Sequence, residues 1–236
     1  MPTFWLSTYH PLASEPEGPW RNHAPALPPY VDASCRREPD LESSFPTITG
    51  LSRPPSVRKL AEGDIVVYVT TRAPFEGQEP HRRLTAVLTV LSARKSHAGA
   101  GDFYREKGLP LPRNLLLPGN GPLPIEMTEG FYRTEGPDGE EVRVSPRDAG
   151  DGPRVVAEWD KQFTLRKNQC QDVRICEPRF VDVAQGRVLD DATVTSVFGP
   201  KGFPNTQLRP AKMDRAIAVA LLQACGLGEV AAALPA

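Results

Sequence analysis

The sequence predicts an α+β domain whose sheet is strongly curved or closes into a small open β-barrel, with peripheral helices and long Pro-rich loops. Two runs, residues 60–70 and 83–91, are rich in Val, Ile, Leu, Thr and Tyr and read as β-strands. Both are apolar at nearly every position instead of alternating, as expected of central strands covered on both faces. The other elements follow one another through turns and loops, without the regular strand–helix alternation of a doubly wound fold. Proline, 26 of 236 residues, is about twice as frequent as usual. Because it lacks an N–H and breaks helices, much of the chain is expected to be ordered but irregular.

Residues 3–9 form a short aromatic opening strand. Residues 11–30 are a Pro-rich coil with Trp20, His23 and Tyr30, and loops this long tend to be functional or mobile. A dense set of both charges, Arg36-Arg37-Glu38-Pro39-Asp40-Leu41-Glu42, precedes a short strand within 46–51. Gly63-Asp64 suits a sharp turn into the first core strand, since Gly tolerates positive φ and Asp bonds its own backbone. Ser96 or His97 opens a helix containing Phe103 and Tyr104, and Gly108 stops it.

Residues 109–124 carry five prolines and are expected to strap a coil across an apolar surface. Residues 131–133 and 141–144 flank Gly136-Pro137-Asp138-Gly139, a hairpin signature. Val155, Val156, Trp159 and Phe163 have helical spacing, in a segment short enough to be extended instead. Residues 173–176 and 179–183 read as strand pieces broken at Pro178. Residues 210–225 read as the clearest helix, with Pro210 in its first turn, a stripe of Met213, Ile217, Ala220, Leu221 and Ala224, and Gly226 at its end. The whole chain, 1–236, reads as one domain, with 109–236 as a hairpin, strand and C-terminal helix extension.

A formal charge of −1 with 24% charged residues is that of an ordinary soluble protein, so any nucleic-acid surface must be a local patch. The four cysteines are scattered, form no C-x-x-C, and read as reduced and structural. No apolar run approaches 18 residues and no signal peptide is evident, so a cytoplasmic location without a membrane role is expected. No P-loop, nucleophile elbow or metal-ligand spacing is present, and neither cofactor nor metal is expected.

Phe4-Trp5-Leu6-Ser7, Leu60-x-x-Gly63-Asp64-Ile65-Val66-Val67-Tyr68 and Leu84-Thr85-Ala86-Val87-Leu88-Thr89-Val90 together resemble the PUA-like superfamily, which includes EVE, ASCH and YTH domains. More narrowly, the chain is similar to bacterial and phage nucleotide-modification-associated domains. That likeness takes in the Gly63-Asp64 turn, the Phe103-Tyr104 helix, the hairpin from Gly130-Phe131-Tyr132-Arg133 to Asp138-Gly139, and Ile175-Cys176-Glu177-Pro178-Arg179-Phe180. The resemblance implies a single PUA-like domain with a concave pocket that holds a base, often a modified one flipped from its strand. It further implies a role in a bacterial or phage modification or defence system. There is no cage of two or three tryptophans at the YTH spacing, so a methylated adenine is not singled out.

The implied partner is nucleic acid, DNA or RNA, single-stranded or with a flipped base. On this reading Arg37 and Arg53 contact phosphate, Trp5 and Trp20 stack, Thr47, Thr49 and Tyr68 line the pocket, Glu38 or Asp40 accepts from an exocyclic amine, and Ser7 is a further binding residue. The charged 36–42 segment reads equally as a salt-bridged loop anchor. Arg53, Arg58, Lys59, Arg72, Arg82, Arg83, Arg94 and Lys95 cluster about the core-strand ends, either as a phosphate-attracting patch or as solvated charges balanced by Glu62, Glu76 and Glu79. Cys35 beside two arginines reads as a depressed-pKa nucleophile or as a structural thiol. Two alternatives remain: a hydrolase or nuclease of the same fold, using Glu38, Asp40 and Lys59, and a protein-interaction module acting through the Pro-rich loops.

Overall fold

A computed structural model describes residues 1–14, 27–51, 54–123, 132–135, 141–144, 152–206 and 209–235. Its strands are β1 (Phe4–Tyr9), β2 (Thr47–Thr49), β3 (Ile65–Thr70), β4 (Arg82–Arg94), β5 (Tyr132–Glu135), β6 (Glu141–Val144), β7 (Val173–Val181), β8 (Arg187–Leu189) and β9 (Ala211–Met213). The α-helices are α1 (Pro54–Val57), α2 (His97–Glu106), α3 (Gly152–Gln169), α4 (Asp191–Phe198), α5 (Arg215–Ala224) and α6 (Gly228–Ala232). The result is a mixed α+β fold around a strongly curved, half-barrel sheet ordered β2-β7-β4-β3-β1-β9, with β8 pairing the start of β4. β1 and β3 run parallel, and the other pairs are antiparallel.

The two core strands occupy the middle of this sheet, and every residue of β3 is buried. The curvature has local causes. Thr85 and Leu91 of β4 and Arg179 of β7 are each inserted between consecutive pairs of the ladder, and such bulges bend a strand and increase its twist. The Arg179 bulge also explains a correction. Pro178 does not break the strand, because β7 runs unbroken from Val173 to Val181 and its proline falls where the bulge has already disrupted the ladder.

A second correction concerns residues 210–225. Ala211–Met213 form β9, antiparallel to β1, and helix α5 starts only at Arg215. Met213 pairs with Phe4 and enters the same core as the α5 stripe, so its apolar character fits a strand as well as a helix. Asp214 holds extended backbone at the N-cap, and Gly226 ends the helix region with φ of +72°. Residues 109–236 supply β7, β8 and β9 to the main sheet, so this half is woven into the fold and is not an appendage to it.

Elsewhere local chemistry and structure agree. The Ser96 hydroxyl accepts from Gly99 N at 3.0 Å to cap α2, and Gly108 follows its end with φ of +65°. Leu115 is buried with Ala100 and Tyr104 of α2, as a strap over an apolar surface requires. β5 and β6 pair antiparallel, while the 136–140 turn between them lies outside the described residues. Trp159 and Phe163 lie on α3, which resolves their spacing as helical.

Candidate functional site

A cavity of about 220 Å³ opens among β1, β2, the 32–39 loop, α1 and α3. The period of two along a strand puts Trp5, Ser7 and Tyr9 of β1 and Val66 and Tyr68 of β3 toward this side. The Tyr9 ring stands edge-on to Tyr68, with centroids 6.1 Å apart. Its hydroxyl donates to Tyr30 O and lies 2.9 Å from the Oγ1 of the bulged Thr85, within hydrogen-bond distance. Burial raises the Tyr9 pKa, so the phenol stays protonated.

The 32–39 loop is knit from within. Asp32 Oδ1 accepts from Ser34 N at 2.9 Å, Ser34 Oγ at 2.5 Å and Glu38 N at 3.0 Å. Arg37 adopts φ of +54°, sparsely populated for a residue with a Cβ, and its side chain is 1% exposed. Its guanidinium donates to Asp32 O and to Ser34 O, the latter at 3.1 Å, and its Nε lies 3.3 Å from Glu42 Oε2.

This arrangement holds Glu38 against β2, where it accepts from Thr49 N at 2.9 Å, from Thr49 Oγ1 and from Asn114 Nδ2 at 3.0 Å. Burial pushes the Glu38 carboxyl up to about 8 against those hydrogen bonds, and nearby Asp32 adds a smaller push. Burial likewise raises Asp32. At neutral pH Glu38 is therefore mostly protonated, able to donate as well as accept.

Helix α3 closes the opposite wall. Trp159 and Phe163, one turn apart, stack with centroids 5.4 Å apart and planes 19° from parallel. Arg166 sits 5.7 Å from each ring centroid and donates to Leu51 O at 3.0 Å. Two further contacts pin the helix: Arg36 to Asp160 at 2.5 Å, and Lys167 to Leu116 O at 2.8 Å. Ser56 of α1 also lines the cavity. It is 6% exposed, and its hydroxyl has no hydrogen-bond partner among the described residues.

Of the ten residues expected at a site, Ser7, Glu38, Thr49 and Tyr68 line this cavity together. Arg37 does not line this cavity: it is 1% exposed, and its guanidinium is turned into the loop, where Nη1 donates to Asp32 O and Ser34 O and Nε faces Glu42. Asp40 is an anchor, accepting from Glu42 N, Ser43 N and Arg113 N. Thr47 is buried away from the cavity and donates to Asn114 Oδ1 at 2.6 Å. Trp5 lies outside the cavity, its indole donating to Asp64 Oδ2 at 2.9 Å. Trp20 and Arg53 fall outside the described residues.

Most of the strand-end cations have partners within the fold, Lys59 being exposed without an ion pair among the described residues. Arg58 and Lys95 share Asp172, Arg72 pairs with Asp191, Arg82 packs on Phe203 and Arg83 is buried beside His81. Cys35 is fully buried, as a structural thiol is. Asp32, Ser56, Trp159, Phe163 and Arg166 were not expected at the site. The i, i+4, i+7 spacing of the last three was an available signal, whereas nothing local marks Ser56.

The chain matches no protein-family model, no curated protein and no solved structure. Among the described residues no group of three or more His, Cys, Asp or Glu is placed to hold a metal ion, and no helix is long and apolar enough to cross a membrane.

Proposed function

We propose that the protein is a PUA-like domain that recognises a base of a nucleic acid, a modified base in particular, within a bacterial or phage modification or defence system. The observation that carries this reading is a small cavity in which aromatic walls meet buried hydrogen-bonding groups, one of them the Ser56 hydroxyl, which has no partner among the described residues. An apolar cavity of about 150 Å³ takes up benzene, so a somewhat larger one suits a single substituted heteroaromatic ring. It is smaller than the roughly 300–1,000 Å³ typical of drug-sized ligands.

Stacking a base on aromatic side chains contributes about 1–3 kcal/mol, and Tyr68, Trp159 and Phe163 offer such surfaces. Leaving a hydroxyl buried and unpaired costs about 1–3 kcal/mol, which a base edge at Ser56 would relieve. Glu38, its pKa raised by burial, lines the same cavity with its carboxyl held in place by Thr49 and Asn114. Isothermal calorimetry with modified and unmodified nucleosides tests the reading. Saturable binding by at least one of them, lost when Ser7→Leu fills the cavity without unfolding the chain, is the expected result. A wild-type protein that binds none overturns it.

The joint burial of Asp32 and Glu38 in one cavity favours a second reading, a nucleic-acid-acting hydrolase. Glu38 already accepts three hydrogen bonds from the fold, which makes it an anchor first. Product formation abolished by Glu38→Gln, with nucleoside binding retained, would establish the enzyme instead.

A further inference from the structure

A second, open depression of about 930 Å³ lies beside the cavity, and the two meet at Pro210, which lines both. Neighbouring residues also divide between them. Leu60 faces the cavity while Lys59 and Ala61 line the depression, and along β1 Ser7 faces the former while Trp5 lines the latter. The depression is several times the larger, more than one phosphate needs.

Its charges are unequally committed. Lys59, Arg209 and Lys212 are exposed, and among the described residues none of them forms an ion pair. The β1–β9 register sets Lys212 opposite Trp5, with the ammonium 5.3 Å from the indole centroid. Of the two carboxylates, Asp64 is buried and held by the fold, while Glu62 stays exposed with one hydrogen bond from it. Asp64 accepts from Thr3 N at 2.8 Å, the Trp5 indole at 2.9 Å and Ala61 N at 2.9 Å, while Glu62 Oε1 accepts from Ala93 N at 2.9 Å. Three exposed cations with no ion pair among the described residues outnumber the one exposed carboxylate of this depression, and a polyanion threading past them is attracted while releasing its own counterions.

We propose that this depression carries the phosphodiester backbone of a single strand whose base enters the cavity, so that the ligand is single-stranded nucleic acid and not a free base. The inference rests on the base-binding reading of the cavity. A single strand presents its bases without the few kcal/mol of unstacking and unpairing that a duplex demands.

Fluorescence anisotropy with labelled single-stranded DNA and RNA of mixed sequence, with and without methylated bases, tests it on the full chain. Matched duplexes, nucleosides and 5′-monophosphates serve as comparators. The strand is expected to bind about tenfold or more tighter than the nucleoside, with log affinity falling against log salt by about 0.7 per neutralised phosphate, hence by about 2 for three cations. Lys59→Ala and Lys212→Ala should each lower that slope by about 0.7 and leave nucleoside binding unchanged. Glu62→Gln should strengthen strand binding.

Nucleoside binding with a strand or monophosphate bound no tighter overturns the backbone track and leaves the base reading standing. So does a duplex that outcompetes the strand. Salt-dependent strand binding that the lysine variants abolish and Ser7→Leu does not touch, with no nucleoside bound, supports the track and overturns the base reading. No binding of any probe at low salt overturns both.

Discussion

Phe4 and Leu6 of β1, with Ile65, Val67 and Val69 of β3, face α4, α5 and α6, where Val194, Ala218, Leu221 and Leu222 complete a continuous apolar core. Trp5, Ser7 and Tyr9, with Val66 and Tyr68, come from the same two strands and face the other way. On that side the apolar packing is interrupted by hydroxyls, two carboxyls and a cavity walled by α3. Because side chains alternate along a strand, one stretch of chain can commit one set of positions to stability and the intervening set to recognition. The cost of polar burial is confined to one face, and the other face supports it.

The largest expected effect comes from breaking the apolar face. Leu6→Ala removes a fully buried side chain and should lower stability by about 2–5 kcal/mol, read as a drop in the urea midpoint. Nucleoside affinity of the folded protein should hold, and its loss in a still-folded Leu6→Ala would show that the two faces are not independent.

A pH scan of thermal stability sharpens the comparison on the polar face. His97 accepts from Leu116 N at 3.1 Å, and burial, followed by nearby Lys167 and Arg36, lowers its pKa from 6.5 to about 4. Its contribution is present above pH 6.5 and is lost as the pH falls toward 4, on the order of 3 kcal/mol. Glu38, raised from 4.5 to about 8, acts in the opposite direction: its contribution is present below pH 4.5 and is lost as the pH rises toward 8. Between 4.5 and 6.5 the two slopes oppose each other, so stability should plateau there and decline on either side. His97→Gln should flatten the acid limb and Glu38→Gln the alkaline one. Unchanged limbs in both variants would sink the assignment.

The smallest effect on stability is expected at Ser56. Ser56→Ala removes a buried hydroxyl with no partner among the described residues, so stability should stay level or rise by up to about 1 kcal/mol, while nucleoside affinity falls by about fivefold. A clear loss of stability would mean that the hydroxyl already serves the fold.

Much of the scaffold was legible because its signals are local. The dense apolar runs of β3 and β4, the Ser96 cap and Gly108 stop of α2, and the Asp-Gly hairpin signature each act within a few residues. The site was legible in part. Ser7, Glu38, Thr49 and Tyr68 do meet at one cavity, while Arg37 lies buried in the loop beside it and most of the strand-end arginines hold partners within the fold. A charge in sequence reads as exposed, and only the fold reveals a carboxylate, carbonyl or aromatic ring that has already claimed it. β9 and the late start of α5 were missed because Met213 satisfies a helical stripe and a strand face equally well.

The sequence by itself determined which segments are central strands, where α2 begins and ends, and which residues alternate along β1 and β3, since backbone preference and side-chain period operate over a few residues. Only the tertiary structure decided which side of the sheet the C-terminal helices cover and which keeps a cavity. Glu38 reaches Thr49 across 11 residues and Asn114 across 76, and Trp159 and Phe163 arrive on a helix from the other half of the chain. A cavity is the space that such long-range packing fails to fill, and no local pattern of residues encodes it.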